Sequence, residues 1–281
     1  MNGGEQGALD YQVEIVDLST LDEDRGTPLL EGRNVSKYFG GLAALSQVDF
    51  AVYPGEVVGL IGPNGSGKTT LFDCLSRVQD VSEGQIFFKG AEITKKKPFQ
   101  VAHMGLSRTF QVIRVYNKMT VLENMLLSRQ YGGHSLWSLF RPAPPETETR
   151  ARELIHFLLL DRVIDEKAGN LSGGQKRLLE IGMALMPDPD LLLLDEATSG
   201  VNPTLVEEIK DRIRELNKQY DKTFLLIEHN IHFISDLCNR VFVLDYGQKL
   251  AEGTPGEIMI DESVVEAYFG ADGEVFDDGD E

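Results

Sequence analysis

Only two cysteines, Cys74 and Cys238, occur in 281 residues. That is too few for a disulfide framework, so a reducing compartment is expected and both thiols read as buried packing residues. No run approaches the roughly 18–20 uninterrupted apolar residues that a membrane-spanning helix needs. The longest, around Leu158–Leu160 and Leu191–Leu194, are short and bounded by charge. A basic segment followed by an apolar one is also missing near Met1, so no secretory signal is expected. Positive charge is scarce: 27 Lys and Arg stand against 45 Asp and Glu, for a net −18. That balance argues against nucleic acid as the partner. Most of the excess sits at the ends, since residues 1–28 and residues 271–281 each carry −6, leaving −6 for the body. Acidic, glycine-containing ends of this kind are expected to be disordered, solvated tails.

What remains, residues 29–270, has ordinary globular composition and alternates short β-type runs with helical stretches, the pattern of an α/β domain with a largely parallel sheet. Val57–Ile61, Leu191–Leu194, Phe224–Ile227 and Val241–Leu244 are apolar throughout, as in strands buried on both faces. Pro203–Gln219 reads as a helix started by Asn202 and Pro203, with Leu205, Val206, Ile209, Ile213 and Leu216 on one face. Val35–Gly55 and Gly84–Gly90 alternate between glycine turns, predicting a small antiparallel layer. From about 112 to 186 the pattern is mainly helical, broken by the proline-rich stretch Arg141–Pro145, which suggests an inserted helical subdomain.

Three segments carry chemistry. Gly62-Pro63-Asn64-Gly65-Ser66-Gly67-Lys68-Thr69 completes the phosphate-loop pattern G-x-x-x-x-G-K-[ST], after the strand Val57–Ile61 and before the helical run Thr70–Arg77. Glycines let successive N–H groups point at phosphate oxygens, and the helix N-terminus adds partial positive charge there. Lys68 would neutralise the β- and γ-phosphates and the Thr69 hydroxyl would coordinate Mg²⁺. A glycine turn with a chance lysine is the bland alternative, and the strand–loop–helix context weighs against it. Leu191–Leu194 then delivers Asp195 and Glu196 to the C-terminal end of a buried strand, where open α/β sheets bind ligands. Alternation sends the two carboxylates different ways, so Asp195 can serve the metal while Glu196 faces the attacking water as general base. Alone, this segment equally describes a solvated acidic turn. Leu171-Ser172-Gly173-Gly174-Gln175 opens a further helical run, offering a Ser hydroxyl and Gly N–H groups to an anion. By itself it equally describes a Ser-capped helix.

The last pentapeptide matches the LSGGQ signature letter for letter, and with the other two segments in this order the chain resembles the ATP-binding subunits of ABC transporters. The resemblance implies a P-loop NTPase core with an antiparallel β subdomain and an inserted α-helical subdomain, binding ATP and Mg²⁺. It implies a dimer in which Ser172, Gly173, Gly174 and Gln175 of one chain meet the nucleotide on the other chain's loop, which spans Gly62 to Thr70. It places Gln111 at the metal or the attacking water, between core and helical subdomain, and His229 at the γ-phosphate. It puts Phe39 against adenine, with Tyr38 as an alternative. Glu196, His229, Gln111 and Lys68 form the implied catalytic set, with Thr69, Gln111 and Asp195 around the metal. One loop departs from a common family pattern: Ser199-Gly200-Val201-Asn202 stands where many members read S-A-L-D, and Asn202 is expected to act chiefly as a helix cap.

Within the family, Phe39–Leu45, Ser107–Gln111, Met119–Asn124, Val243–Lys249 and Val265–Gly270 resemble the ATPases of branched-chain amino acid importers. These imply integral-membrane permeases, a second copy or sister ATPase, an external solute-binding protein, and a peripheral position on the cytoplasmic face of the membrane. Urea, amides or another solute stay open as cargo, as does a soluble ABC ATPase of iron–sulfur assembly. The stretch Val112–Met119, with Val112, Ile113, Val115, Tyr116 and Met119 expected at the surface, is the implied groove for a permease helix.

Overall fold

The computed structural model describes residues 26–110, 113–129 and 144–269. Gln111, Val112 and nearly all of both acidic ends lie outside the described residues.

Two sheets pack face to face over one of the molecule's two cores. β1 (Leu30–Phe39), β2 (Leu42–Val52), β4 (Glu83–Phe88) and β5 (Ala91–Glu92) form an antiparallel sheet of order β2-β1-β4-β5. The second sheet has six strands: β3 (Val57–Ile61), β6 (Leu106–Arg108), β7 (Leu191–Asp195), β8 (Thr223–Ile227), β9 (Arg240–Asp245) and β10 (Gln248–Gly253), in the order β10-β9-β3-β8-β7-β6. All its pairings are parallel except that of the edge strand β10 with β9.

The apolar runs divide their side chains by parity between two cores, as a period of two demands. Val58, Leu60, Leu191, Leu193, Leu225, Ile227, Phe242 and Leu244 point toward the antiparallel sheet and α1 (Lys68–Leu75), where they meet Leu71, Phe72 and Leu75. Val57, Ile61, Leu192, Leu194, Phe224, Leu226, Val241 and Val243 face the other side. There they pack with α5 (Gly173–Leu185), α6 (Pro203–Tyr220) and α7 (Ile231–Leu237), and α8 (Pro255–Met259) and α9 (Glu262–Phe269) follow. Fully burying one such side chain contributes about 1.5–3 kcal/mol, so both faces stabilise the sheet that carries the site.

Between the sheets' strands come α2 (Pro98–His103), α3 (Val121–Leu127) and α4 (Pro145–Phe157). Helix α3 is started by a capping box in which the Glu123 N–H donates to Thr120 Oγ1 at 3.1 Å and the Thr120 N–H donates to Glu123 Oε2 at 2.7 Å. Met125, Ala151, Ile155, Leu178 and Leu179 join α3, α4 and α5 into a helical cluster. Of the surface expected over Val112–Met119, Tyr116 is exposed, whereas Ile113 and Met119 are half-buried and Val115 packs against that cluster. The reason is Asn124: buried on α3, it accepts the Tyr116 N–H at 2.8 Å and donates to the carbonyls of Tyr116 and Thr120, pulling the loop inward. Both cysteines are buried and unpaired, and burial raises the Cys74 thiol to about 11. Among the described residues no helix is long and apolar enough to cross a membrane.

Candidate functional site

Strand β3 ends directly in the phosphate loop, and α1 begins at Lys68. Gly67, which caps α1, has φ +103°, and a Cβ there would stand 2.6 Å from the Ala44 carbonyl, so glycine is required by both conformation and space. Lys68 is nearly buried, and its Nζ donates to the carbonyls of Gly62 (2.7 Å) and Pro63 (2.9 Å). Burial lowers its pKa, with Glu196 and Asp195 pulling the other way. Lys68 borders a cleft of about 480 Å³ that also takes in Phe39, Asn64, Thr69, Glu196 and His229. Phe39 lines the cleft and Tyr38 does not; Tyr246, 88% exposed, stands at its edge.

The acidic pair sits at the end of β7. Asp195 is buried, and its Oδ2 accepts from Arg108 Nη2 at 3.0 Å while its N–H donates to Thr109 Oγ1 at 3.2 Å. Arg108 also reaches Asp73 on α1 at 2.6 Å, so one guanidinium spans the phosphate-loop helix and the acidic strand. Desolvation raises the Asp195 pKa, with Arg108 opposing it. Asp195 Oδ1 is buried and has no hydrogen-bond partner. Glu196 has φ +50°, a region that costs a non-glycine residue about 1–3 kcal/mol and is held only where surroundings enforce it. Arg177 supplies that enforcement. It is buried, its Nη2 donates to the carbonyls of Glu196 (2.5 Å) and Asp195 (3.2 Å), and its Nη1 pairs with Glu180 Oε2 at 2.6 Å. His229 Nε2 lies 3.2 Å from Glu196 Oε1. Behind them, buried Glu228 accepts from the Thr198 N–H and hydroxyl, and burial raises its pKa.

The signature segment lies apart. Ser172 caps α5 in a capping box, accepting the Gln175 N–H at 3.3 Å and donating its own N–H to Gln175 Oε1 at 3.0 Å. Ser172, Gly173, Gly174 and Gln175 are not among the residues around the phosphate-loop cleft. Gln175 instead borders a separate groove of about 880 Å³ with Leu178, Asn202 and Leu205. Asn202 Oδ1 accepts the Leu205 N–H at 3.0 Å, capping α6.

Sequence reading missed Arg108, Arg177, Glu180 and Tyr246. The Arg177–Glu180 pair could have been suspected from its i, i+3 spacing just inside the signature helix. It holds both sides of the undescribed residues 111 and 112: Arg177 donates to the Phe110 carbonyl at 2.9 Å, and Glu180 Oε1 accepts the N–H of Phe110 (3.4 Å) and of Arg114 (3.3 Å).

Similarities to known proteins agree with this geometry. Residues 45–199 match the family described as ABC transporter, and residues 248–274 match the one described as branched-chain amino acid ATP-binding cassette transporter. A probable branched-chain amino acid transport ATP-binding protein LivG of Archaeoglobus fulgidus is 40% identical, covering 86% of this chain and 96% of that protein. The high-affinity branched-chain amino acid transport ATP-binding protein LivG of Escherichia coli K12 is 36% identical over 86% and 98%. A nucleotide-free ATP-binding cassette from an ABC transporter superposes with TM-score 0.78 at 38% identity, covering 87% of this chain and all of that one. A dimeric bacterial ABC transporter cassette does so with TM-score 0.70 at 25% identity, over 80% and 98%. In fold and in sequence, this chain belongs to the ATP-binding cassettes of the ABC transporter family.

Proposed function

We propose that this chain binds and hydrolyses ATP to power import of branched-chain or closely related amino acids through membrane permeases. The observation that carries the chemistry is the gathering of Lys68, Thr69, Glu196 and His229 around one cleft. The phosphate loop receives the β- and γ-phosphates, with Lys68 exchanging its contacts to the Gly62 and Pro63 carbonyls for phosphate oxygens. Phe39 offers its ring to adenine. Glu196 takes the proton of the attacking water, His229 holds that carboxylate and the γ-phosphate in line, and Gln111 orients the water. Ser172 and the following N–H groups of a second copy or a sister ATPase cover the nucleotide from the far side.

The donor set suits Mg²⁺. Asp195 Oδ1 is a buried carboxylate oxygen without a hydrogen-bond partner, and Thr69 brings its hydroxyl to the cleft bordered by Glu196, the residue next to Asp195. One or two protein ligands completed by phosphate and water oxygens is the habit of Mg²⁺. Bound there with Thr69, Asp195 and Gln111, it would neutralise charge on the transferring phosphoryl group.

The relatives' names and the match over 248–274 favour branched-chain amino acids over urea or amides. The chain would then sit at the cytoplasmic face of the membrane beside permeases and an external binding protein. Phosphate release by the full chain tests the chemistry: Glu196→Gln should lose at least about 100-fold in rate and keep its MgATP affinity. Hydrolysis at the normal rate overturns the assignment. Membranes carrying the full complex should take up labelled leucine with ATP and not without it; uptake of urea in its place redirects the cargo. Tyr116→Asp should uncouple uptake from ATP binding, and unchanged uptake removes Tyr116 from the permease contact.

A further inference from the structure

Helix α9 lies against the phosphate loop. Its anchor is Val264, 5% exposed in the core, and its start is fixed by Asp261, whose Oδ1 accepts the N–H groups of Ser263 (2.9 Å) and Val264 (3.2 Å). Ala267 borders a small hollow with Pro63–Ser66 and Tyr246. One residue on, the Tyr268 hydroxyl accepts the N–H of Gly62, the first residue of the phosphate loop, at 2.5 Å. Tyr268 does not border the nucleotide cleft. Its ring packs on the core that holds Ile61 and Val264.

We propose that Tyr268 is a positioning residue for nucleotide binding: its hydroxyl fixes the Gly62 end of the phosphate loop, so that helix α9 sets the loop's affinity for nucleotide.

Three observations converge on this. Gly62 has little room to move: φ is +149°, and a Cβ would stand 2.0 Å from the Leu244 carbonyl oxygen and 2.7 Å from Ser66 Oγ. Its N–H goes to Tyr268 while its carbonyl takes Lys68 Nζ at 2.7 Å, so a single residue joins α9 to the lysine that meets phosphate. The hydroxyl is itself buried enough that its pKa rises to about 12, with the Gly62 N–H opposing the rise. Removing the hydroxyl leaves the Gly62 N–H facing the ring edge, and the loop loses one of the bonds that preset it for phosphate.

The inference rests on the phosphate loop binding nucleotide, and the test separates the two. In the full chain, Tyr268→Phe should shift the Gly62 amide resonance and speed its hydrogen exchange with no nucleotide present. It should weaken MgADP binding and raise KM for ATP by about 3- to 10-fold, the range of one lost hydrogen bond, with kcat within about twofold. Ile155→Val, a core change on α4 that touches neither the phosphate loop nor α9 by any hydrogen bond, lowers stability by a comparable amount and should leave both constants alone. An unmoved Gly62 amide with unchanged KM overturns the proposal, as does a KM rise of equal size in Ile155→Val. No MgADP binding by the wild-type chain overturns the nucleotide reading, and this inference with it.

Discussion

The phosphate loop and the signature segment are both helix N-termini rich in glycine, yet the fold treats them differently. The first is built into a cleft with its lysine already positioned, a carboxylate pair behind it and an aromatic ring at its mouth. The second caps its own helix with Ser172 and Gln175 and borders a different groove, one that takes in neither the phosphate loop nor Glu196. On the proposed reading each is half of a site, completed by a second ATPase chain, so nucleotide binding and hydrolysis should separate on mutation.

The largest effect is expected at the loop itself. Lys68→Ala should abolish measurable hydrolysis and also weaken ATP binding, checked by phosphate release and by titration with a fluorescent nucleotide. Ser172→Arg sharpens the comparison: hydrolysis should fall at least about 100-fold while the chain's nucleotide affinity stays within about twofold. Equal loss of affinity in both variants would mean that the two halves meet within one chain. A step smaller is Arg177→Met, which strands buried Glu180 and releases the carbonyls of Asp195 and Glu196. Breaking such a pair costs about 3–5 kcal/mol, readable as a lower denaturant midpoint at unchanged slope.

The smallest effect concerns Glu228. Burial lifts its folded-state pKa above the ordinary glutamate range, so the folded chain holds that proton more tightly than the unfolded one. The stability this group contributes is therefore full below its unfolded value, near about 4.3, and is lost as pH rises through the raised folded value. Glu228→Gln removes the titration, so its stability relative to wild type should climb between pH 4 and pH 8, seen in paired urea midpoints. A constant difference across that range would contradict the assigned burial cost.

Much of this was legible in the sequence because the chemistry is local. The loop Gly62–Thr69, the run Leu191–Glu196 and the cap at Asn202 each encode their geometry in consecutive residues, through glycine conformation, strand alternation and side-chain capping. The parity of Val57–Ile61 likewise assigns its faces once two cores are present. What escaped is long-range. Arg108 meets Asp195 at 87 residues' separation, Arg177 meets Phe110 at 67, and Tyr268 meets Gly62 at 206. No periodicity reports such pairs. The surface at Val115 was misjudged for a similar reason: its inward turn is set by Asn124 on a neighbouring helix, not by its own neighbours in sequence.

On the proposed reading, a working site takes its phosphate loop from one chain and its signature segment from another. The most direct measurement is the solution mass of the Glu196→Gln chain by light scattering, with and without MgATP, beside the Ser172→Arg/Glu196→Gln double variant. Such a shared site predicts a doubling of mass on MgATP addition for the single variant and none for the double variant, with nucleotide bound in both. A single variant that binds MgATP and stays at the mass of one chain, or a double variant that dimerises equally, would contradict it.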